Sequence, residues 1–150
     1  MGTIITLCTD FGLRDGYAAA MKGVLLSIAP QATLVDITHE VARQRVTEGA
    51  FVLSSACRYF PAGTIHLVVI DPGVGSARRA VAVRTPRYTF VAPDNGVLTY
   101  ALQDAGRVDA VHLTRSEYWL PQVSHTFHGR DIFSPVAAHL ANGVPLEELG

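Results

Sequence analysis

Cysteine is scarce in this chain: only Cys8 and Cys57 occur among 150 residues, far apart and each among apolar neighbours. That leaves no disulfide framework and no CxxC redox or zinc motif, only reduced core thiols. An excess of one charge is missing too, with 12 Lys and Arg against 13 Asp and Glu and a formal charge of -1. A nucleic-acid surface needs clustered cations to displace counterions, and there is no basic run to supply them. No apolar stretch reaches the roughly 20 residues that cross a bilayer. Nor does the N-terminus show a basic region followed by an apolar stretch and a cleavage site, so a cytoplasmic location is expected. Repeats and low-complexity linkers are absent, and 49% of the residues are hydrophobic. One domain with a substantial core follows.

What is present is a repeated pattern. Four apolar, strand-like runs lead straight into an aspartate: Ile4 to Thr9 into Asp10, Thr33 to Val35 into Asp36, Thr64 to Ile70 into Asp71, and Phe90 to Pro93 into Asp94. If several of these strands are parallel members of one open sheet, their carboxyl ends share an edge, and ligands bind in the crevice outside it. Between the strands the apolar period switches to a helical one over Asp15 to Ile28, with Pro30 just beyond, and over Thr47 to Tyr59, with Thr47 as expected N-cap. Ala80 to Arg84 and Tyr88 to Ala92 flank Thr85-Pro86-Arg87 as a hairpin. Helix is expected again over Val97 to Ala105 and Asp131 to Ala141, with a strand at Ala110 to Leu113. The fold class is therefore α/β: a single three-layer-like domain with a mostly parallel, mixed central sheet flanked by helices.

The densest chemistry lies in Val68 to Arg79. A strand delivers Asp71 to a turn whose glycines, Gly73 and Gly75, allow close backbone approach, and Arg78 can fold back toward the carboxylate. The plainer reading is that Asp71 caps a turn and Arg78 is a solvated hairpin residue. A Gly-x-Gly element that opens no helix does not support a dinucleotide or phosphate loop. A second cluster, His125 to Asp131, sets His128 on a glycine-containing turn before the last helix, where Asp131 is expected to serve as an N-terminal helix carboxylate. Asp36-Ile37-Thr38-His39-Glu40 offers either a metal ligand or a turn hydrogen bond. Pro93-Asp94-Asn95-Gly96 is turn chemistry first and a ligand contact second.

Taken together, Thr9-Asp10-Phe11-Gly12 with Asp15 and Tyr17, Met21-Lys22-Gly23, Asp36-Ile37-Thr38-His39, Asp71-Pro72-Gly73-Val74-Gly75 with Arg78, Pro93-Asp94-Asn95-Gly96 and Phe127-His128-Gly129-Arg130-Asp131 resemble the S-adenosyl-L-methionine hydroxide adenosyltransferases, hydrolytic relatives of fluorinase and chlorinase. The resemblance runs in order from residue 3 to about 143. It implies attack of water or hydroxide on ribose C5′ of S-adenosylmethionine, giving adenosine and methionine, with no metal or other cofactor. It also implies that Asp71, Arg78 and His128 hold the water, Asp10 grips the ribose hydroxyls, Asp15 lies near the methionine amine and Phe127 lines the pocket. Gln44, Val74 and Asn95 fall near the pocket by the same alignment. The halogenating relatives lack the histidine, so His128 favours water over halide.

In the resembled family a β-rich C-terminal domain follows, and substrate lies between the first domain of one subunit and the second domain of its neighbour in a homotrimer. Residues 1–150 are accordingly expected to be the N-terminal catalytic domain, with that C-terminal domain absent and with little or no activity alone. Two other classes stand beside this reading. One is a non-catalytic adenosine-binding or oligomerisation module. The other is a divalent-metal hydrolase using Asp10, Asp36, Asp71, His39 and His128, although no HxxH, HxH or DxD spacing gathers them locally.

Overall fold

A computed structural model describes residues 2–150. Six strands, β1 (Ile4–Thr9), β2 (Thr33–Thr38), β3 (Ile65–Val69), β4 (Ala80–Arg84), β5 (Thr89–Pro93) and β6 (Asp109–His112), form one sheet in the order β2-β1-β3-β5-β4-β6. β1 pairs in parallel with β2 and β3, and β3 with β5, while β4 runs antiparallel to both β5 and β6. The expected mixed, mostly parallel sheet is therefore observed.

Both faces are covered, which is why β1 and β3 read as unbroken apolar runs. Alternate residues of β3 go to opposite layers: Ile65, Leu67 and Val69 join the cluster of Met21, Leu25, Phe133 and Val136, whereas Val68 joins that of Leu53, Cys57 and Phe90. The first layer belongs to α1 (Tyr17–Ile28) and α3 (Ser134–Ala141), the second to α2 (Val46–Cys57). The chain moves one way from β1 to β2 and the opposite way from β2 to β3. A single crossover hand then places α1 and α2 on opposite faces.

Three boundaries differ from the sequence reading. α2 starts at Val46 after Arg45, with no side-chain cap, so Thr47 is not the N-cap. Glu48 reaches back instead and accepts the Ala42 amide at 2.6 Å. The Val97 to Ala105 segment buries Val97 and Leu98 as expected but winds as successive turns, with a Leu102 to Leu98 bond beside shorter ones such as Thr99 to Gly96. Asn95 explains this start: its carbonyl accepts the Val97 amide and its NH2 donates to the Ile70 carbonyl. The last helix is entered earlier than expected, through a π turn over Gly129–Phe133, and Asp131 lies in this first turn as the expected N-terminal helix carboxylate. Its carboxylate, almost wholly buried, accepts the Ser124 amide at 2.8 Å and the Arg130 guanidinium at 2.7 Å.

Candidate active site

The strand order reverses between β1 and β3, and Asp10 and Asp71 follow those two strands. That switch point is where open α/β sheets bind ligands. A cavity of about 110 Å³ lies there. The turn after β1 contributes Asp10 and Phe11 to its wall, the loop before α2 Arg43 and Gln44, the end of β3 Val69 and the loop after it Asp71 and Val74, and the entry to the π turn Thr126, His128 and Gly129.

The inserted antiparallel strand explains why Arg78 is here. Because β4 runs opposite to β3, the chain leaving β3 stays on the carboxyl edge, and Arg78 remains level with Asp71. Its Nε donates to both Asp71 oxygens, at 2.9 and 3.1 Å, and its Nη2 donates to Oδ2. The same Nη2 lies 2.8 Å from His128 Nδ1. Neither side chain of the ion pair is solvated, at 12% exposed for Arg78 and 5% for Asp71. The guanidinium plane also covers the Phe133 ring. So Asp71, Arg78 and His128 form one connected unit, and neither Asp71 nor Arg78 is the isolated turn residue of the plainer reading.

The nitrogen roles of His128 follow. Arginine can only donate, so Nδ1 accepts, and in the neutral ring the proton resides on Nε2. Burial lowers the His128 pKa below the ordinary histidine value and the Arg78 charge adds to this, against opposing pulls from Asp71, the Ser124 backbone and Asp131. At neutral pH the ring is uncharged.

Asp10 offers the second carboxylate. Its Oδ2 accepts the Gln44 amide at 2.7 Å. Gln44 has φ 63°, the one non-glycine residue with positive φ among the described residues. Such backbone costs of order 1 kcal/mol or more and clusters at functional sites. Phe127 is buried and meets Phe11 and Tyr17 edge-on at centroid distances of 5.5 and 5.3 Å, with the Arg130 guanidinium 4.9 Å above its ring. Asp15 and Asn95 are not brought in. Asp15 is exposed on the turn before α1, and Asn95 lines a different cavity with its amide committed to backbone groups.

Phe11, Arg43, Val69, Thr126 and Gly129 were not singled out by the sequence. Gly129 had a signal, its place beside His128, and the reason is now visible. A Cβ there would stand 3.3 Å from both Met21 Sδ and Val69 Cγ1. Gly75 is tighter still, with φ 78° and a virtual Cβ 2.5 Å from the His125 carbonyl oxygen. It is the contact at which the loop carrying Asp71 and Arg78 lies against the segment carrying His128. Gly75→Ala is expected to separate the two, lowering turnover at least about tenfold and stability by about 1 to 3 kcal/mol. Thermal unfolding and rate measurements on the same sample check this. A variant with unchanged rate sinks the idea.

The residues a metal hydrolase would use are dispersed. Asp71 is committed to Arg78 and Asp36 to Lys22 and His39, and no group of three or more His, Cys, Asp or Glu able to hold a metal ion occurs among the described residues. A larger groove, about 690 Å³, lies on the other face between α2 and the 97–105 turns. It contains none of the connected carboxylate, guanidinium and imidazole groups.

Residues 5–150 match the SAM hydroxide adenosyltransferase N-terminal domain. The chain belongs to this family. Among curated SAM hydroxide adenosyltransferase relatives, it is 48% identical over 147 residues to the (R)-S-adenosyl-L-methionine hydrolase of Salinispora arenicola, covering 97% of this chain and 56% of that protein. The corresponding hydrolase of Thermus thermophilus is 45% identical over 150 residues, covering 95% of this chain and 58% of that protein. The fluorinase of an Actinoplanes species is 31% identical over 170 residues, covering 98% and 57% respectively. The crystal structure of an uncharacterized conserved protein from Thermotoga maritima superimposes with a TM-score of 0.94 at 45% identity, covering 99% of this chain and 57% of that one. The chain thus spans a little over half the length of the relatives it matches.

Proposed function

We propose that the protein hydrolyses S-adenosyl-L-methionine to adenosine and L-methionine. The observation that carries this is the continuous Asp71-Arg78-His128 unit facing a small cavity at the switch point, with Asp10 across from it. A sulfonium is already a good leaving group, so the enzyme must place a nucleophile in line behind C5′ and remove its proton. Placement alone is worth up to roughly 7 to 11 kcal/mol in ideal intramolecular cases.

The water oxygen attacks C5′, the C5′–S bond breaks with its electron pair going to sulfur, and one proton is released. Arg78 presents two N–H groups to Asp71, Nε–H shared between both oxygens and Nη2–H on Oδ2, so of about four lone-pair positions on the carboxylate there is room left for water. His128, with its proton on Nε2, donates to the water oxygen. Asp71 is therefore the proton acceptor and His128 the group that holds the lone pair in place. Asp10, with Oδ1 uncommitted, binds the ribose hydroxyls, Gln44 and Val74 line that pocket, and Phe127 supports its aromatic wall. Asp15 and Asn95 lie outside this cavity and have no contact to substrate in this proposal, Asn95 serving instead to hold the turn after β5 through Ile70 and Val97.

Residues 1–150 act as the N-terminal catalytic domain, and the adenine and carboxylate contacts come from a C-terminal domain of a neighbour in a homotrimer. No helix among the described residues is long and apolar enough to cross a membrane. The free, buried Cys8 and Cys57 suit a reducing, cytoplasmic setting.

The test is to incubate the chain with S-adenosylmethionine, alone and with the remaining segment of the Salinispora arenicola relative added separately, and follow adenosine by chromatography. Adenosine is expected, faster in the second mixture. If it forms in neither, the reading fails. If it is abolished by chelator and restored by a divalent metal, the metal hydrolase takes its place, and adenosine binding without turnover points to the binding module.

A further inference from the structure

Beneath the Asp10 turn lies a side-chain chain that the proposed chemistry does not use. Lys22 Nζ donates to Asp36 Oδ2 at 2.7 Å, and His39 Nε2 lies 2.8 Å from Asp36 Oδ1. His39 Nδ1 lies 2.7 Å from Thr9 Oγ1, and the Phe11 amide donates to that same oxygen at 3.3 Å. The Gly12 amide donates to the His39 carbonyl at 2.6 Å. Thr9 and His39 are both almost completely buried.

The partners fix the direction of every bond. Asp36 loses some solvation on burial, but hydrogen bonds from Lys22 and His39 outweigh this and hold its carboxyl below the usual range. A charged carboxylate only accepts, so His39 Nε2 donates and, in the neutral ring, Nδ1 accepts from the Thr9 hydroxyl. That leaves the Thr9 oxygen free to accept the Phe11 amide. A register shift lets the chain do this: Leu7 faces Asp36 but Cys8 faces Thr38, so Ile37 is an extra residue in β2. Bulges of this kind re-aim side chains next to active sites.

We infer that Thr9 and His39 are positioning residues for Asp10, setting the angle at which its free oxygen meets the ribose diol. His39 holds the turn on both sides of Asp10, at the Thr9 hydroxyl before it and, through its own carbonyl, at the Gly12 amide after it. The Gln44 amide then holds the other Asp10 oxygen. The inference rests on the proposed hydrolysis, since it needs a diol to be bound.

Thr9→Val removes the hydroxyl at nearly constant volume, and Thr9→Ser keeps it. In the turnover mixture described above, Thr9→Val is expected to raise KM about tenfold, the size of one lost hydrogen-bonded constraint, with kcat changed less than about threefold. Thr9→Ser is expected to restore KM. Added to Asp10→Ala, Thr9→Val raises KM no further, because the group it positions is gone. An unchanged KM, a loss confined to the folded fraction, or a further rise in the Asp10→Ala background would each overturn the inference. A ligand-free arm separates it from the hydrolysis reading: imidazole nitrogen shifts should report His39 as the Nε2–H tautomer in the native protein and altered shifts in Thr9→Val. The Nδ1–H tautomer overturns the network itself. If the tautomer is as expected and wild-type protein yields no adenosine, the hydrolysis reading has failed and the role of the network falls with it.

Discussion

If the proposed hydrolysis holds, Asp71→Asn is expected to lower the rate of adenosine formation by about two to four orders of magnitude, the range for loss of a positioned proton acceptor. The amide keeps a similar shape and one acceptor oxygen, so substrate still enters, and kcat falls while KM changes little. That is the signature of an interaction made only in the transition state. The competing effect is structural. Asp71 and Arg78 are nearly buried, and breaking one partner of a buried pair costs about 3 to 5 kcal/mol. Against the roughly 5 to 15 kcal/mol that hold an ordinary domain together, most molecules remain folded. Circular dichroism and rate measurements on one sample therefore separate the two. If the rate drops only in proportion to the folded fraction, Asp71 is scaffolding and the chemistry lies elsewhere.

The other large effect is in acid and comes from the far layer. His66 is fully buried, its Nδ1 bonded to Thr6 Oγ1 at 2.6 Å and its Nε2 without a partner. Phe90 stacks on the ring, and Tyr88 and Phe60 meet it edge-on. Burial in this apolar setting lowers its pKa from 6.5 to about 4. A depressed native pKa means that the unfolded chain binds the proton first. The stabilisation is then complete above about pH 6.5 and is lost as the pH falls through about 4. The loss amounts to about 3 kcal/mol. Burial lowers His128 and His139 in the same direction, which adds to the acid sensitivity. Urea unfolding of wild type and His66→Gln between neutral pH and about pH 4 isolates this residue, because the other groups cancel in the comparison. Parallel pH dependences for the two proteins would exclude His66 as the cause.

Much of this was legible in the sequence, and what was not has identifiable physical causes. Strands buried on both faces, such as β1 and β3, announce themselves as apolar runs, and the half-exposed edge strands β2 and β6 were also located within a residue or two. Period alone could not distinguish the 97–105 turns from a helix, because both bury residues at three- and four-residue spacing, and only the Asn95 bonds to Ile70 and Val97 decide between them. Asp131 was legible as an N-terminal helix carboxylate because it precedes an apolar helical stretch. Its partner, the Ser124 amide, is set by a loop path that no local pattern encodes. Asp71 with Arg78 was visible because seven residues separate them. The link to His128 crosses fifty residues and was visible only through family resemblance. The Thr9–His39 contact crosses thirty and went unread, His39 being left between metal ligand and turn former.

That fifty-residue interval also has a meaning in time. A ribosome adding roughly 5 to 20 residues per second delivers His128 some 3 to 10 seconds after Arg78. During that interval the carboxylate and guanidinium have only each other, and the apolar side of α1 waits for α3. The nascent chain therefore leaves Met21 and Leu25 partly uncovered until the segment carrying His128 and α3 has emerged. Closure of the α1 layer and completion of the Asp71, Arg78 and His128 unit thus both wait on one late segment.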